Sequence, residues 1–303
     1  LEDLEPVLKK VKEGEDANFK VLLGTITSDT FFDRMVGATE YGLKFNPAEP
    51  DKRDNTVYNV HETEEQMAYY RTMRKYYNAG YVSRDVNINT AEVMKAGNWF
   101  LTSVVYQPEY EVSESAALGY KIDKVLRHTP VMCGSDRAIN SIPTSCTRPE
   151  KALEFLSLVN SDPQIRQTLG YGIEGTHWNK NEEGKRVITE KGKSGYSAMP
   201  NYALGNMFIT GLAAGDRDDK WEQFERYNES SVESPLIGFY VDSNLIKNEV
   251  AATASIVSEY KSDLENGRID PETAVPEFIE KLKQAGSDTI KQEIQKQYDA
   301  FVK

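Results

Sequence analysis

Ser141 to Trp178 reads SIPTSCTRPEKALEFLSLVNSDPQIRQTLGYGIEGTHW, and its punctuation decides how the rest of the chain is parsed. The order of signals predicts a strand end, two capped helices in succession, and an aromatic, glycine-rich loop. Thr147, Pro149 and Glu150 fit a capping box: the Thr147 hydroxyl accepts from an amide of the first turn, Glu150 reaches back, and Pro149 stands where no N–H is missed. Ala152, Leu153, Leu156 and Val159 then form one apolar face. Asp162-Pro163 opens a second helix in the same way, with Ile165 and Leu169 facing inward until Gly170 and Gly172 stop it. The loop GIEGTHW that follows is polar, aromatic and rich in turn residues.

Working outward from this stretch, strands and helices alternate. FKVLLGTI (19–26) condenses into a short buried strand, and TSDTFFDRMVGA (27–38) predicts a short helix capped by Ser28 or Asp29. TVYNVH (56–61) alternates as an edge strand or hairpin arm. Glu62 to Asn78 reads as a long amphipathic helix with a Met67, Tyr70, Met73, Tyr77 stripe and Gly80 as its stop. Thr90 caps the helix AEVMKA, Gly97 ends it, and WFLTSVVY (99–106) is the strongest strand signal, delivering Tyr106 and Gln107 to a sheet edge. GYKIDKVL (119–126) and PVMCGSDRAINSI (130–142) predict two further strands. Beyond Trp178 come a charged hairpin or loop (179–195), an acidic helix in DRDDKWEQFERYNE (216–229), and the loop SPLIGFYVD (234–242). From Ser243 the chain is helical: Leu4, Val7, Leu8 and Val11 stripe the first helix of the protein, and Leu245, Ile246, Val250, Val257, Tyr260 and Leu264 do the same here. Gly267 ends that helix, Asp270-Pro271 caps a helix or short turn, Pro276 restarts it, Gly286 stops it, and Asp288 caps the last.

Composition narrows the function. At 303 residues the chain allows two lobes or one large α/β unit. No apolar run approaches the roughly 20 residues that a membrane helix requires. A net charge of -12 repels phosphate backbones and argues against nucleic acid as a partner. Seventeen Tyr and three Trp are the compositional oddity. Most of these rings are expected to pack, but exposed ones offer stacking faces. Cys133 and Cys146 have no CxxC neighbour, which excludes a zinc ribbon or a redox motif and leaves two packed thiols or one disulfide.

The chemistry of catalysis is missing as local motif. There is no GxSxG, Walker loop or HExxH, and His61, His128 and His177 are scattered. Carboxylate pairs such as Glu64-Glu65 and Asp218-Asp219 sit on solvated faces and carry no glycosidase signal. Asn179, Asn181 and Glu183 have the spacing of half a calcium loop without its Asp positions or terminal Glu, so neither metal nor cofactor is expected. What remains is a loop set of rings and amides: Trp99, Tyr106, Gln107, His177, Trp178, Tyr202 and Asn206. Trp99 lies within a strand and is assigned to the core. The other six are the candidate ligand-binding residues, because rings and amides suit a neutral polyhydroxyl ligand at strand ends of an α/β sheet.

Several strings together resemble one family. LEDLEPVLKKVKE, EVMKAGNWFLTSVVY, AINSIPTSCTRPEKALEFLSLV, YGIEGTHW, Leu204 to Phe208, SPLIGFYVD, and the tail strings ENGRIDPE, PEFIEKLKQAG and QYDAF resemble the extracellular solute-binding proteins of ABC importers. The resemblance is to the family 1, carbohydrate-type lipoproteins of Gram-positive bacteria that carry an additional C-terminal helical region. It implies an α/β fold of the type II periplasmic-binding-protein kind, with two lobes and a sugar or oligosaccharide held between them, and a membrane permease as partner. It also implies an extracellular location through a lipid anchor, although neither signal peptide nor lipobox is present here. Leu101 stands where the family has Met, Trp178 where GIEGTHW would end in His-Tyr, and Tyr202 and Asn206 where an aromatic precedes Gly-Asn. On this mapping residues 1–130 begin lobe 2, 131–205 form the second half of a lobe 1 lacking its leading strands, and 206–303 return to lobe 2 and add the helical region. Ser141 to Trp178 would then cross between lobes, its helices packed on the incomplete one. A carbohydrate-active enzyme using a carboxylate pair assembled in space, or a fragment with no ligand affinity, are the alternatives left open.

Overall fold

The computed structural model describes residues 1–28, 30, 32–52, 54–84, 89–134, 138–196 and 203–303. Its contacts divide the chain into two compact units: Leu1–Val105, Leu126–Cys133 and Val232–Lys303 make the first, and Tyr106–Val125 and Gly134–Ser231 the second. These boundaries differ from the expected 130 and 205. Residues 106–125 join the middle segment because Tyr106 and Glu109 engage Tyr227 and Gln223. Residues 206–231 do so because Arg186 N donates to Leu212 O and Ala214 N to Arg186 O. The return to the first unit comes where Val232 donates to Pro130 O.

Elements are numbered along the whole chain. In the first unit, α1 (Glu5–Gly14) turns Leu4, Leu8 and Val11 inward, while Val7, expected on the same stripe, is exposed. β1 (Lys20–Leu22) pairs in parallel with β5 (Trp99–Leu101), and Leu22 also bridges Val82. The expected long strand ends after these three residues of β5, since Val104 and Val105 are 47% and 94% exposed. β2 (Phe32–Met35), β3 (Ala38–Lys44) and β4 (Val57–Asn59) form an antiparallel sheet with β4 on the outside, as the TVYNVH alternation suggested. Within the helix expected over 27–38, Phe32–Met35 is therefore a strand: Gly37, at φ +90°, reverses the chain so that Met35 faces Ala38 across a hairpin. The expected cap Asp29 lies outside the described residues.

α2 (Glu64–Asn78) is capped by Thr63, whose side chain accepts from Gln66 N. α3 (Thr90–Ala96) is capped by Asn89 rather than Thr90, with Gly97 closing it at φ +72°. β6 (Val131–Met132) pairs in parallel with β9 (Val232–Glu233), but 119–126 form no strand. The tail contributes α9 (Lys247–Glu265), α10 (Pro271–Gln284) and α11 (Ser287–Phe301). Asp270 caps α10, which runs through Pro276 without restarting, and Gly286 precedes α11, so Asp288 falls in its first turn.

These tail helices build both cores of the unit. One core joins Leu8, Leu22, Tyr70, Met73 and Tyr76 to Tyr260, Leu264, Phe278 and Leu282. The other joins Met35, Tyr41, Leu43 and Val57 to Phe239, Ile246, Ile290, Ile294 and Tyr298. A fully buried side chain of this kind contributes about 1.5–3 kcal/mol relative to exposure. At the α9 end, Gly267 (φ +68°) lies so close to α2 that a Cβ would stand 2.1 Å from Met73 O. Arg74 seals the contact by donating to the carbonyls of Gly267 and Arg268 at 3.0 and 2.8 Å.

A polar seam fastens the sheet to the helices. Glu40 on β3 accepts from His61 Nε2 at 2.7 Å and from Lys261 on α9 at 2.9 Å, and His61 Nδ1 lies 2.9 Å from Tyr70 Oη. Burial alone would raise the Glu40 carboxyl, but the hydrogen bonds and charge supplied by His61 and Lys261 hold it at about 2. Burial pushes the His61 ring down, and its contact with Glu40 opposes that shift.

The second unit contains α4 (Tyr110–Leu118), α5 (Pro149–Ser161), α6 (Pro163–Tyr171), β7 (Trp178–Lys180), β8 (Arg186–Ile188), α7 (Glu190–Gly195) and α8 (Lys220–Glu229). Asp162 caps α6 as expected, accepting from Gln164 and Ile165 amides. The Thr147 capping box does not form. Pro149 begins α5 and biases the residue before it away from the helical region, so Arg148, at φ -141° and ψ 65°, takes the cap position and no side chain caps the turn. On α5, Val159 is buried but Leu153 is 63% exposed, and Phe155 and Leu158 are exposed beside it. β7 and β8 form the charged hairpin, and Arg186 at its far arm lays its guanidinium 3.3 Å over Tyr171. Cys133 and Cys146 are both half-buried thiols.

Candidate ligand-binding site

Five of the six expected residues are described, and they fall into separate places in the second unit. Trp178 is 4% exposed, and its indole N–H donates to Gly172 O at 3.0 Å. Both the ring face and the donor are therefore committed to the fold. This corrects the expectation of Trp178 as a stacking platform: the GIEGTHW turn folds the ring back under Gly172. His177 accepts the Ile173 amide on Nδ1 and packs against Tyr196 at 5.1 Å, so its role in the turn is likewise local. Tyr202 lies outside the described residues.

Of the other three, Tyr106 meets helix α8 directly, while Gln107 follows it in the chain and Asn206 stands two residues before Phe208. Tyr106 meets Tyr227 edge to face, with centroids 5.7 Å apart. Lys124 donates to its hydroxyl at 2.5 Å and pairs with Glu111 at 2.6 Å. Desolvation works against the Lys124 charge, but Glu111 and Tyr106 more than offset it and hold the ammonium above its ordinary value. Gln107 is exposed beside this group. At the other end Asn206 Oδ1 accepts from Phe208 N, which sets Phe208 against α8.

α8 itself supplies what the sequence reading missed. Trp221, Phe224 and Tyr227 recur every three residues, which places them along one side of the helix. Phe208 lies 5.3 Å from Trp221 and 6.3 Å from Phe224, and Trp221 lies 5.5 Å from Phe224. The Trp221 indole N–H donates to Thr210 O at 3.3 Å, which fixes the ring without burying it, and Phe208 is 41% exposed. The result is a row of rings along α8, in which Phe208, Trp221 and Phe224 touch one another and Tyr227 pairs with Tyr106. The three-residue spacing was present in DRDDKWEQFERYNE but lay beneath its charges.

Two cavities lie in the first unit: about 520 Å³ between β4 and α11, walled by Thr56, Asn59, Lys291, Gln295 and Lys296, and about 340 Å³ beside α1, walled by Lys12, Phe19, Asn78, Tyr81 and Arg84. Among the described residues no group of three or more His, Cys, Asp or Glu side chains is placed to hold a metal ion. No helix among them is long and apolar enough to cross a membrane.

Comparison with known proteins gives this arrangement its context. A family model described as a domain of unknown function (DUF3502) matches residues 235–303. A carbohydrate ABC transporter substrate-binding protein of Streptococcus pneumoniae serotype 4 is 29% identical over 313 residues, covering all of this chain and 62% of its own length. The N-glycan transport solute binding protein NgtS of Streptococcus pneumoniae matches with a TM-score of 0.82 at 28% identity, over 99% of this chain and 67% of its own. In complex with Man5GlcNAc, NgtS matches at 0.72 and 26%, over 98% and 66%. A solute binding protein associated with an HMO-binding ABC transporter of Bifidobacterium longum infantis, at 0.60 and 14% over 100% and 70%, shares the fold alone. The chain thus has the two-lobed fold of the solute-binding proteins. It is a relative of the carbohydrate-binding components of ABC transporters and spans about 62% of the curated relative it matches.

Proposed function

We propose that the protein containing this chain is the substrate-binding component of an ABC importer, capturing an oligosaccharide and passing it unchanged to a membrane permease. The observation that carries this reading is the aromatic row of α8 with Phe208 and Tyr106, on a chain related to carbohydrate-binding proteins of such importers. A pyranose presents apolar C–H faces and a rim of hydroxyls. Rings match the faces, and side-chain amides such as those of Gln107 and Asn206 match the rim. The net charge of -12 favours a neutral glycan over a polyanionic one. The same reading puts the protein on the outer side of the membrane, held there by a lipid anchor, with no bond made or broken in the sugar.

NgtS has been solved with Man1GlcNAc and Man5GlcNAc, so glycans of mannose and N-acetylglucosamine are the first probes. The test is calorimetric titration of the full-length protein with a panel containing both, with product analysis after incubation. Binding without product is the expected result, and Trp221→Ala should weaken it roughly tenfold, about 1.4 kcal/mol, near the upper end of the range for ring contacts. A panel that produces no heat or melting shift would refute the proposal. So would release of reducing ends, which would return the enzyme reading.

A further inference from the structure

Among the described residues, Glu109 is the only non-glycine residue with positive φ, at φ +62° and ψ +15°. A side chain in this left-handed region crowds its own backbone, and a long acidic residue has none of the local hydrogen bonding that lets Asn or Asp tolerate it. Glu109 is also 2% exposed, so its carboxylate is taken out of water. Strain and desolvation thus fall on one residue, where glycine would satisfy the backbone and an apolar residue the burial.

What Glu109 holds explains the combination. Its carboxylate accepts the Arg217 amide at 3.3 Å and Gln223 Nε2 at 3.0 Å, with the Arg217 guanidinium 3.8 Å away. Its carbonyl accepts from the Val112 and Ser113 amides and from Ser113 Oγ, starting α4. The residue is therefore a rivet between the start of α4 and the first turns of α8. The three residues before it are Tyr106, Gln107 and buried Pro108, and Tyr110 N donates to Gln107 O at 3.1 Å, closing the turn. Where Tyr106 and Gln107 stand beside the Trp221, Phe224, Tyr227 row is set by this turn.

We propose that Glu109 is a positioning residue for sugar capture: its left-handed turn and buried carboxylate preset the Tyr106-Gln107 edge of the aromatic row against α8, so that the glycan does not have to order it. The inference rests on the sugar-binding reading above. Local strain retained because it fixes a functional group is the physical pattern, and an edge preset before binding spares the ordering entropy that would otherwise weaken affinity. Burial raises the Glu109 carboxyl, with the Arg217 amide and Gln223 opposing, which accords with a group kept for its contacts rather than its hydration.

The experiment compares the full-length protein with Glu109→Gly, Glu109→Gln and Trp221→Ala, measuring Kd for a panel glycan that the wild type binds and Tm without ligand. Glycine relaxes the turn and removes the rivet. Its Kd should rise roughly tenfold while Tm moves by no more than about 3 °C, because relief of the left-handed strain offsets the lost contacts. Glu109→Gln keeps the length and one acceptor, and should recover part of the affinity. A residue of purely structural importance would instead lower Tm and leave the Kd of the folded fraction alone. The inference is overturned if Glu109→Gly binds within twofold of wild type, or if its loss matches the unfolded fraction. Should the glycine variant not fold, the glutamine variant decides by the same twofold criterion. If wild type binds while Trp221→Ala weakens and Glu109→Gly does not, only the Glu109 inference falls. If wild type binds no glycan, the sugar reading falls and takes this inference with it.

Discussion

Trp178→Ala separates a ring that binds sugar from a ring that holds the fold. The indole is 4% exposed and its N–H is spent on Gly172 O. Removing a buried Trp side chain costs about 3–5 kcal/mol, and the orphaned carbonyl adds about 1 kcal/mol where water does not reach it. A loss of about 4 kcal/mol in a unit of this size lowers Tm by more than about 10 °C. Trp178→Phe, which keeps most of the volume but not the donor, should lose only about 1–2 kcal/mol. Thermal melting and urea titration read the stability, and glycan titration at a temperature where both variants are folded reads the site. The expected outcome is a large stability loss with Kd unchanged in the folded fraction. A Trp178→Ala protein that melts like wild type but no longer binds glycan would refute the burial argument and restore Trp178 as a platform.

Three further outcomes follow from the geometry. Gly267→Ala forces a Cβ toward Met73 O and into the left-handed region, and should destabilise the first unit by about 3 kcal/mol or more, read as a lower urea midpoint. Asp162→Ala removes two amide acceptances at the start of α6 and should cost about 1 kcal/mol by the same measurement. Glu40, held at about 2 against an ordinary 4.5, contributes stability that is complete above about pH 5 and is lost as pH falls toward 2, on the order of 2 kcal/mol at pH 7. Glu40→Gln should therefore melt lower at pH 7, and the gap to wild type should narrow as pH falls to 3. A gap constant across that range would show that the seam does not depend on the Glu40 charge. His61, lowered by burial, makes both proteins lose stability as pH drops below about 6.5, and Glu265, raised by burial, works in the opposite sense.

Which features were legible depended on how local their causes are. Asp162-Pro163 was read correctly because a cap needs only its own next three residues. Thr147 was misplaced by one position because the restriction that Pro149 imposes on Arg148 outweighs an attractive hydroxyl. DRMVGA resembles a helix by period, yet Gly37 turns it into one arm of a hairpin whose partner, β3, decides the matter. The tail was readable as helical, with Gly267 and Gly286 as stops, because its apolar stripes are long, but the restart expected at Pro276 and the cap expected of Asp288 do not occur. Tyr106 was expected at the site from its place after a strand and stands against Tyr227, whereas Trp178 is turned into the fold, since no sequence pattern says which way a ring in a turn faces. Trp221, Phe224 and Tyr227 carried a plain three-residue period and were passed over because net acidity drew attention from the rings.

The order in which the chain is made bears on how the first unit folds. Tyr41 Oη reaches Ser287 O across 246 residues, and Leu8, Met73 and Leu43 share their cores with Tyr260, Phe278 and Ile290. As the chain is made, the strands β1 to β4 must wait for α9, α10 and α11, with the residues of the second unit emerging in between. Long-range closure of this kind is slow and leaves strand edges open to wrong partners. The first unit should therefore depend on staying open until α11 arrives, and a nascent chain stopped short of α11 would have a first unit lacking one wall of its core.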